Sequence, residues 1–428
     1  MLHDTPLRNC HRRFVESASR RAAEQQVAGI GQGVRPGAAQ GRIAPVPEIE
    51  YLAYGPADAS GVPCCELVST FGPLEAEYAA IRRGTGILDS PHRGTLRIAG
   101  DDRREFLNRM VTQDLRQLDA GRAAESFWLN RKGRVEADLL LVELGDEMLI
   151  DVDIHRAAHT VETLRAFVFS EDVEISDVSA SMHRLALHGR EACAFLAAIA
   201  GERAALEPLR AVRLSLAGAE VVVARRDQTG EPGLEILLSR ASAEPVWDAL
   251  LAQVDLLGGG HPRARPIGWQ AFNIARIEAG TPLFNIDFDA TALPHETGLL
   301  GSRVSFTKGC YLGQEVVARM QSLGKPKQML VGLRMEKDVL PMAGAQVFAA
   351  GDGGAVGPQI GPQIGPQIGM VSSSTLSPML GAAAIAFATV RTAFAETGRE
   401  ILVAAEGEMA TARTCPLRFW PSPERPEP

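Results

Sequence analysis

Alternating apolar and polar positions predict most of the strands in this chain. They are separated by segments whose apolar residues recur every three or four positions. The longer spacing predicts a helix over residues 73–83, ended by Gly84. Residues 95–99 alternate as a strand, and Asp101 or Asp102 then stands where it would cap a helix over Arg103–Met110. Residues 126–129 and 134–144 flank a tight turn at 130–133, which predicts a β-hairpin. Met148–Asp153 reads as another strand and 155–169 as an amphipathic helix. Strands at 184–187 and 221–225 bracket a helix near 191–200, and a further helix spans 263–280 before Gly280-Thr281-Pro282. From Leu330 onward short strands and frequent glycines predict a small β-barrel. Strands alternating with helices, with hairpins among them, make the fold class α+β.

Gly-Pro-Gln-Ile occurs three times in succession over residues 357–368. Proline every fourth residue does not suit a central strand, so the repeat reads as an expanded hairpin loop. Its exact tandem form points to an insertion by replication slippage, not to a ligand site.

The 428 residues suggest about three domain-sized units. The boundaries read as a flexible leader over 1–45, a main region over 46–325 and the barrel over 326–428. Charged residues at 22% and hydrophobic ones at 46% are ordinary for a chain with a buried core. A net charge of −8 argues against a nucleic-acid partner, and the lack of a run of about 18 apolar residues argues against a spanning helix. Six cysteines without a C-x-x-C pair suggest neither disulfides nor a metal site, which fits a reducing, cytoplasmic setting. Residues 1–45 carry seven arginines against Asp4, Glu16 and Glu24, with no apolar signal segment. They read as a short exposed helix with a Gly/Pro linker, or alternatively as a transit peptide to the mitochondrial matrix; composition favours the first.

Three places are candidates for chemistry. In Lys308-Gly309-Cys310-Tyr311-Leu312-Gly313-Gln314-Glu315 the lysine lies two residues from the cysteine. In an extended segment the two would share a face, and an ammonium there would favour the thiolate. Cys310 is thus a candidate reactive thiol, against the alternative of an inert buried one. Asp138 enters the apolar run 139–142, so it must be paired, hydrated or shifted in pKa. It reads either as a carboxylate aimed at an amine-bearing ligand or as a solvated strand entrance. Glu231, in the Gly-bounded turn 229–235, could accept the paired N–H donors of a pterin edge, or be an ordinary polar turn residue.

The octapeptide 308–315 resembles the signature of the YgfZ group, folate-binding relatives of the glycine cleavage T-protein. Residues 225–235 resemble the T-G-E-x-G-[FYL]-E segment of that superfamily, and 368–378 with 384–386 its carboxy-terminal barrel motif. The resemblance covers about 50–415. It implies a three-domain T-protein-like disc, with ferredoxin-like α/β domains and the barrel around a central channel for tetrahydrofolate or a one-carbon derivative. Residues 130–138 match the superfamily's N-x-x-G-G-[IV]-x-D-D pattern in outline, placing Asp138 on its catalytic aspartate. Glu231 falls on the pterin-contacting glutamate, and Lys308 and Tyr311 join the implied folate-binding set. Where T-proteins have G-A-R-D, this chain has Gln270-Ala271-Phe272-Asn273, so Phe272 replaces an arginine that helps bind folate. The resemblance implies a folate-binding protein supporting assembly or repair of iron–sulfur enzymes, with those enzymes or assembly factors as partners. The alternative it implies is a folate-dependent aminomethyl- or methyltransferase.

Overall fold

A computed structural model describes residues 4–30, 49–57, 62–253, 264–351 and 364–420. Six strands form a first sheet in the order Ala211–Leu216, Ala219–Arg225, Gly233–Ser239, Met182–His188, Thr85–Asp89, Ala264–Ile267. The last pair is parallel and the others antiparallel. A second, antiparallel sheet runs Arg122–Leu129, Val135–Glu143, Met148–Asp153, Arg93–Ala99, Glu174–Asp177. Its strands all lie, in sequence, between Thr85–Asp89 and Met182–His188 of the first sheet. The hairpin expected around 130–133 is present and pairs Phe127 with Asp138.

Side chains alternate across a strand, so residues two apart share a face. On one such face Leu140, Val142 and Leu149 of the second sheet pack on Val222, Ala224 and Leu237 of the first. Continue each strand by two residues and the same faces carry Asp138, Asp151, Arg226 and Glu235. The join between the sheets therefore passes from apolar to charged, and the site described below lies at its charged end.

The remaining strands close a barrel in the order Gln328–Met335, Ala383–Arg391, Ile364–Ser377, Gln346–Ala350, Glu400–Ala405, Glu408–Cys415. Val331, Leu333, Val347, Ala386, Val403 and Ala412 fill it. The α+β architecture with a carboxy-terminal barrel is as expected. Among the described residues no helix is long and apolar enough to cross a membrane.

Four local expectations need correction. Residues 264–267 are not the start of a helix: they form an edge strand parallel to Thr85–Asp89, where Pro266 is tolerated, and the helix is Trp269–Glu278. Asp102 does not cap Arg103–Met110; its carboxylate accepts the Asp172 N–H instead. The last Gly-Pro-Gln-Ile copy is strand, not loop, at a place where pairing with Gln346–Ala350 shifts register twice. Residues 357–363 of the repeat lie outside the described residues. Finally, the amino-terminal helix Arg8–Ile30 is not exposed along its first turns. Leu7, Cys10 and Val15 are buried in the first sheet's core, and Thr5 donates to Asp89 at 2.5 Å.

Candidate functional site

Four guanidiniums face four carboxylates between the sheets. Arg303 reaches Glu125 at 2.5 Å and Asp138 at 2.7 Å. Arg226 reaches Glu125 at 2.8 Å, Asp151 at 3.2 Å and Asp138 at 3.3 Å. Arg93 grips Asp151 with two nitrogens, at 2.8 and 2.7 Å. Arg184 lies 2.6 Å from Asp151 and 3.7 Å from Glu235. Charges this deep persist only when paired. Burial works to raise the Asp151 carboxyl, but Arg184 and Arg93 outweigh it and hold it below the usual range. At Glu235 burial wins and the carboxyl is raised, with Arg184 the main opposing charge.

Beside Arg226 and Arg93 lies a narrow chamber lined also by Tyr54, His92, His188, Glu235, Phe272 and Phe284. Its free volume is about 20 Å³, enough for a water and no more unless the walls part. The Tyr54 hydroxyl donates to Asp153 at 2.5 Å, and its ring stacks on His155. Phe272 sits between His188 and Trp269, with centroids 5.0 and 5.4 Å away. Burial drives the His92 and His188 imidazoles down to about 3, so both are neutral. Glu235 is 4% exposed. Among the described residues, no hydrogen-bond donor is seen on its carboxylate. A buried acceptor pair without donors, walled by aromatic rings, suits a planar ligand that presents N–H groups.

The residues singled out in the sequence do not assemble into one site. Asp138 is neither solvated nor aimed into the chamber: it is 7% exposed, spent on Arg303 and Arg226, and touches the chamber only through Arg226. Glu231 pairs with Arg82 at 3.6 Å, and is not among the chamber's lining residues. Lys308 and Cys310 do not share a face. The lysine is buried and its ammonium donates to the carbonyls of Asn108, Val111 and Gln113 at 2.6–2.8 Å, whereas Cys310 is exposed. Burial pulls the Lys308 amine down to about 8. Tyr311 packs among Phe127, Phe284 and Phe288, behind the chamber wall.

The octapeptide thus clamps the loop to the hairpin tip. Gly313 has φ +79°, and a Cβ there would lie 2.6 Å from the Asn130 carbonyl oxygen. Gly313→Ala is expected to cost about 1–3 kcal/mol. A lower midpoint in urea melts with an unchanged slope is the check.

The sequence reading missed Glu235, Arg226, Arg303 and Arg184. A signal was present: Glu235 is a lone charge in a mostly apolar strand, and Asp151 and Arg184 are charges set among Leu, Ile and Val or Leu and Ala neighbours. What was lacking was the knowledge that these strands face one another.

Two family descriptions match the chain. The GCVT N-terminal domain matches residues 54–308, and the glycine cleavage T-protein C-terminal barrel domain matches 328–420. An aminomethyltransferase of Geobacillus kaustophilus (strain HTA426) is 30% identical over 359 residues, covering 83% of this chain and 92% of the relative. An aminomethyltransferase of Synechococcus sp. (strain WH7803) is 30% identical over 369 residues, covering 84% and 93%. In fold the chain is similar to the glycine cleavage system aminomethyltransferase T from Bartonella henselae. The TM-score is 0.72 at 23% identity, over 87% of this chain and 95% of that one.

Proposed function

Since the chain belongs to the glycine cleavage T-protein family, we propose that it is a tetrahydrofolate-dependent aminomethyl- or methyltransferase with its ring site in the chamber. The observation that carries this reading is Glu235: a buried carboxylate with no donor seen on it, in an aromatic-walled slot. The acceptor pair of Glu235 fits a reduced pterin, whose ring N–H and amino group donate to a carboxylate. At about 20 Å³ the chamber as it stands holds no more than a water, so a bound ring would need Phe272 and Phe284 to turn aside. Bound folate would supply the nitrogen that accepts the one-carbon unit. Glu235 would take the ring's donors, Tyr54, Phe272 and Phe284 would exclude water, and Asp138, Glu125 and Asp151 would hold Arg226 at the chamber's edge.

Calorimetry with tetrahydrofolate and 5-formyl-tetrahydrofolate tests this. Glu235→Gln is expected to weaken binding by about ten- to a hundredfold, the worth of charge-assisted hydrogen bonds of about 1.5–3 kcal/mol. Glu231→Ala should leave it nearly unchanged. Equal loss in both variants, or loss only at Glu231, would overturn the placement.

The same carboxylate sets the pH dependence. In the free protein burial raises Glu235, so it holds a proton above the ordinary carboxylate range. Ligand donors favour the charged form and lower its pKa, so binding expels the proton. Affinity should therefore rise with pH until the free carboxyl has ionised, then level off. An affinity flat from mildly acidic to neutral pH would contradict the role of Glu235.

A second reading, a YgfZ-like role in assembly or repair of iron–sulfur enzymes, is favoured by one observation, the exposed thiol of Cys310. Against it, the ammonium expected to activate that thiol is spent on three carbonyls. Under this reading Cys310→Ala fails to restore iron–sulfur enzyme activities in a deletion strain; full restoration sinks it.

A further inference from the structure

We propose that Arg184 is a positioning residue for Glu235: its guanidinium passes from Asp151 to Glu235 when that carboxyl loses its proton to solvent, and so fixes the carboxylate that a ligand's N–H groups meet. The ligand's identity rests on the folate reading above; the hand-over itself belongs to the free chain. Arg184 and Glu235 stand on neighbouring antiparallel strands, Met182–His188 and Gly233–Ser239. Glu235 is opposite Ala186 and Arg184 opposite Leu237, so the two side chains share one face and lie diagonal to each other. Asp151 lies across the joint, on the second sheet. The guanidinium is thus held between an acid of its own sheet, 3.7 Å away, and one of the other sheet, 2.6 Å away.

Arg184 is 1% exposed, yet none of its three nitrogens forms a hydrogen bond among the described residues, so its short approach to Asp151 is out of line. A buried guanidinium has five N–H groups to satisfy, and leaving them unmatched is costly. Asp151 keeps its charge balanced without this partner: Arg93 grips it with two nitrogens and Arg226 lies at 3.2 Å. Glu235 depends on it more. Burial favours the protonated Glu235, and Arg184 is the foremost charge opposing that. An ionised carboxylate has acceptor sites enough for Arg184 on one side and ligand donors on the other. Arg184 is not among the residues lining the chamber, so it acts through Glu235 and not on a ligand directly. The other charges facing the pair are Arg93 and Arg226, with Asp151 shared by both and Glu125 and Asp138 on Arg226; His92 and His188 are neutral.

Chemical melts of the ligand-free chain from mildly acidic to alkaline pH test the hand-over. A native carboxyl that holds its proton longer than the unfolded one loses stability as pH rises from the ordinary carboxylate range to its own, then levels off. Glu235→Gln should remove that fall and so identify it. In Arg184→Met the fall is expected to run at least about one pH unit further, a roughly tenfold tighter hold on the proton. Arg184→Lys keeps a charge on a shorter arm and is expected to level off between the two; it carries the test alone should the methionine variant not fold. A melt displaced equally at every pH would make Arg184 merely structural and overturn the inference. Calorimetry with tetrahydrofolate separates this inference from the reading it deepens, because the affinity plateau should move up in pH by the same step. A displaced stability curve with no tetrahydrofolate binding by the natural chain would remove the folate reading and leave the hold of Arg184 on Glu235 in place. Tetrahydrofolate binding whose plateau ignores Arg184 would leave the folate reading standing and overturn the positioning role.

Discussion

Asp138→Asn is expected to destabilise the fold by about 3 kcal/mol, not to give an intact protein that has merely lost activity. The carboxylate is 7% exposed, and its two oxygens answer two different guanidiniums, Arg303 at 2.7 Å and Arg226 at 3.3 Å. An amide keeps the shape but drops the charge. Arg303 and Arg226 are then left to share Glu125 and Asp151 in a largely buried region where solvent screens the excess poorly. Removing one partner of a buried pair is costly for this reason, whatever the intact pair contributes in net terms. Chemical melts should show the lower midpoint. The double variant with Arg226→Met should be less unstable than the sum of the two single ones, because the second change removes part of the excess charge. Wild-type stability in Asp138→Asn would mean that the network is looser than the geometry states, and would return Asp138 to consideration as a ligand-facing group.

Arg276→Met is expected to cost about 3–5 kcal/mol and to loosen the barrel from the rest of the molecule. Arg276 is fully buried on the Trp269–Glu278 helix. It pairs with Asp287 at 2.5 Å and donates to Ser373 of the barrel at 2.7 Å and to Asn273 at 2.9 Å. Asp287 also accepts from Ser372, Ser373 and the Leu283 N–H. One ion pair thus joins a helix, a loop and a barrel strand, and its loss strands a carboxylate in the joint. Besides the shifted melt, trypsin should cut faster at Lys327, the exposed lysine just before the barrel. An unchanged digestion pattern with a shifted melt would place the damage in the loop and not at the barrel contact.

Much of the architecture is legible in the sequence alone. The helix over Arg103–Met110, the hairpin about residues 130–133 and the barrel beyond Leu330 follow from periodicity and turn residues, which act over a few positions. The errors came where distant segments overrule local pattern. Residues 264–267 are strand because Thr85–Asp89 offers them a parallel edge. The basic amino-terminal stretch reads as solvent-exposed from composition, yet it inserts Leu7, Cys10 and Val15 into a core whose other buried members run from Val68 to Ala264.

The candidate site divides in the same way. Sequence by itself determined which groups cannot be innocuous: a charge inside an apolar strand must find a partner, wherever that partner lies, because desolvation is too costly otherwise. It also pointed to the glycine cleavage T-protein superfamily, through motifs whose residues are adjacent in the chain, though the comparisons do not single out its YgfZ group. Only the tertiary structure decided what each group does. Glu231 and Glu235 are four residues apart; the first lies before the Gly233–Ser239 strand and meets Arg82, the second within it and faces the chamber. Lys308 and Cys310 are closer still, yet one points into a ring of carbonyls and the other into water. Spacing along a chain sets which faces are available. Which face is buried, and against what charge, depends on elements that sequence separation leaves unrelated until the sheets pack.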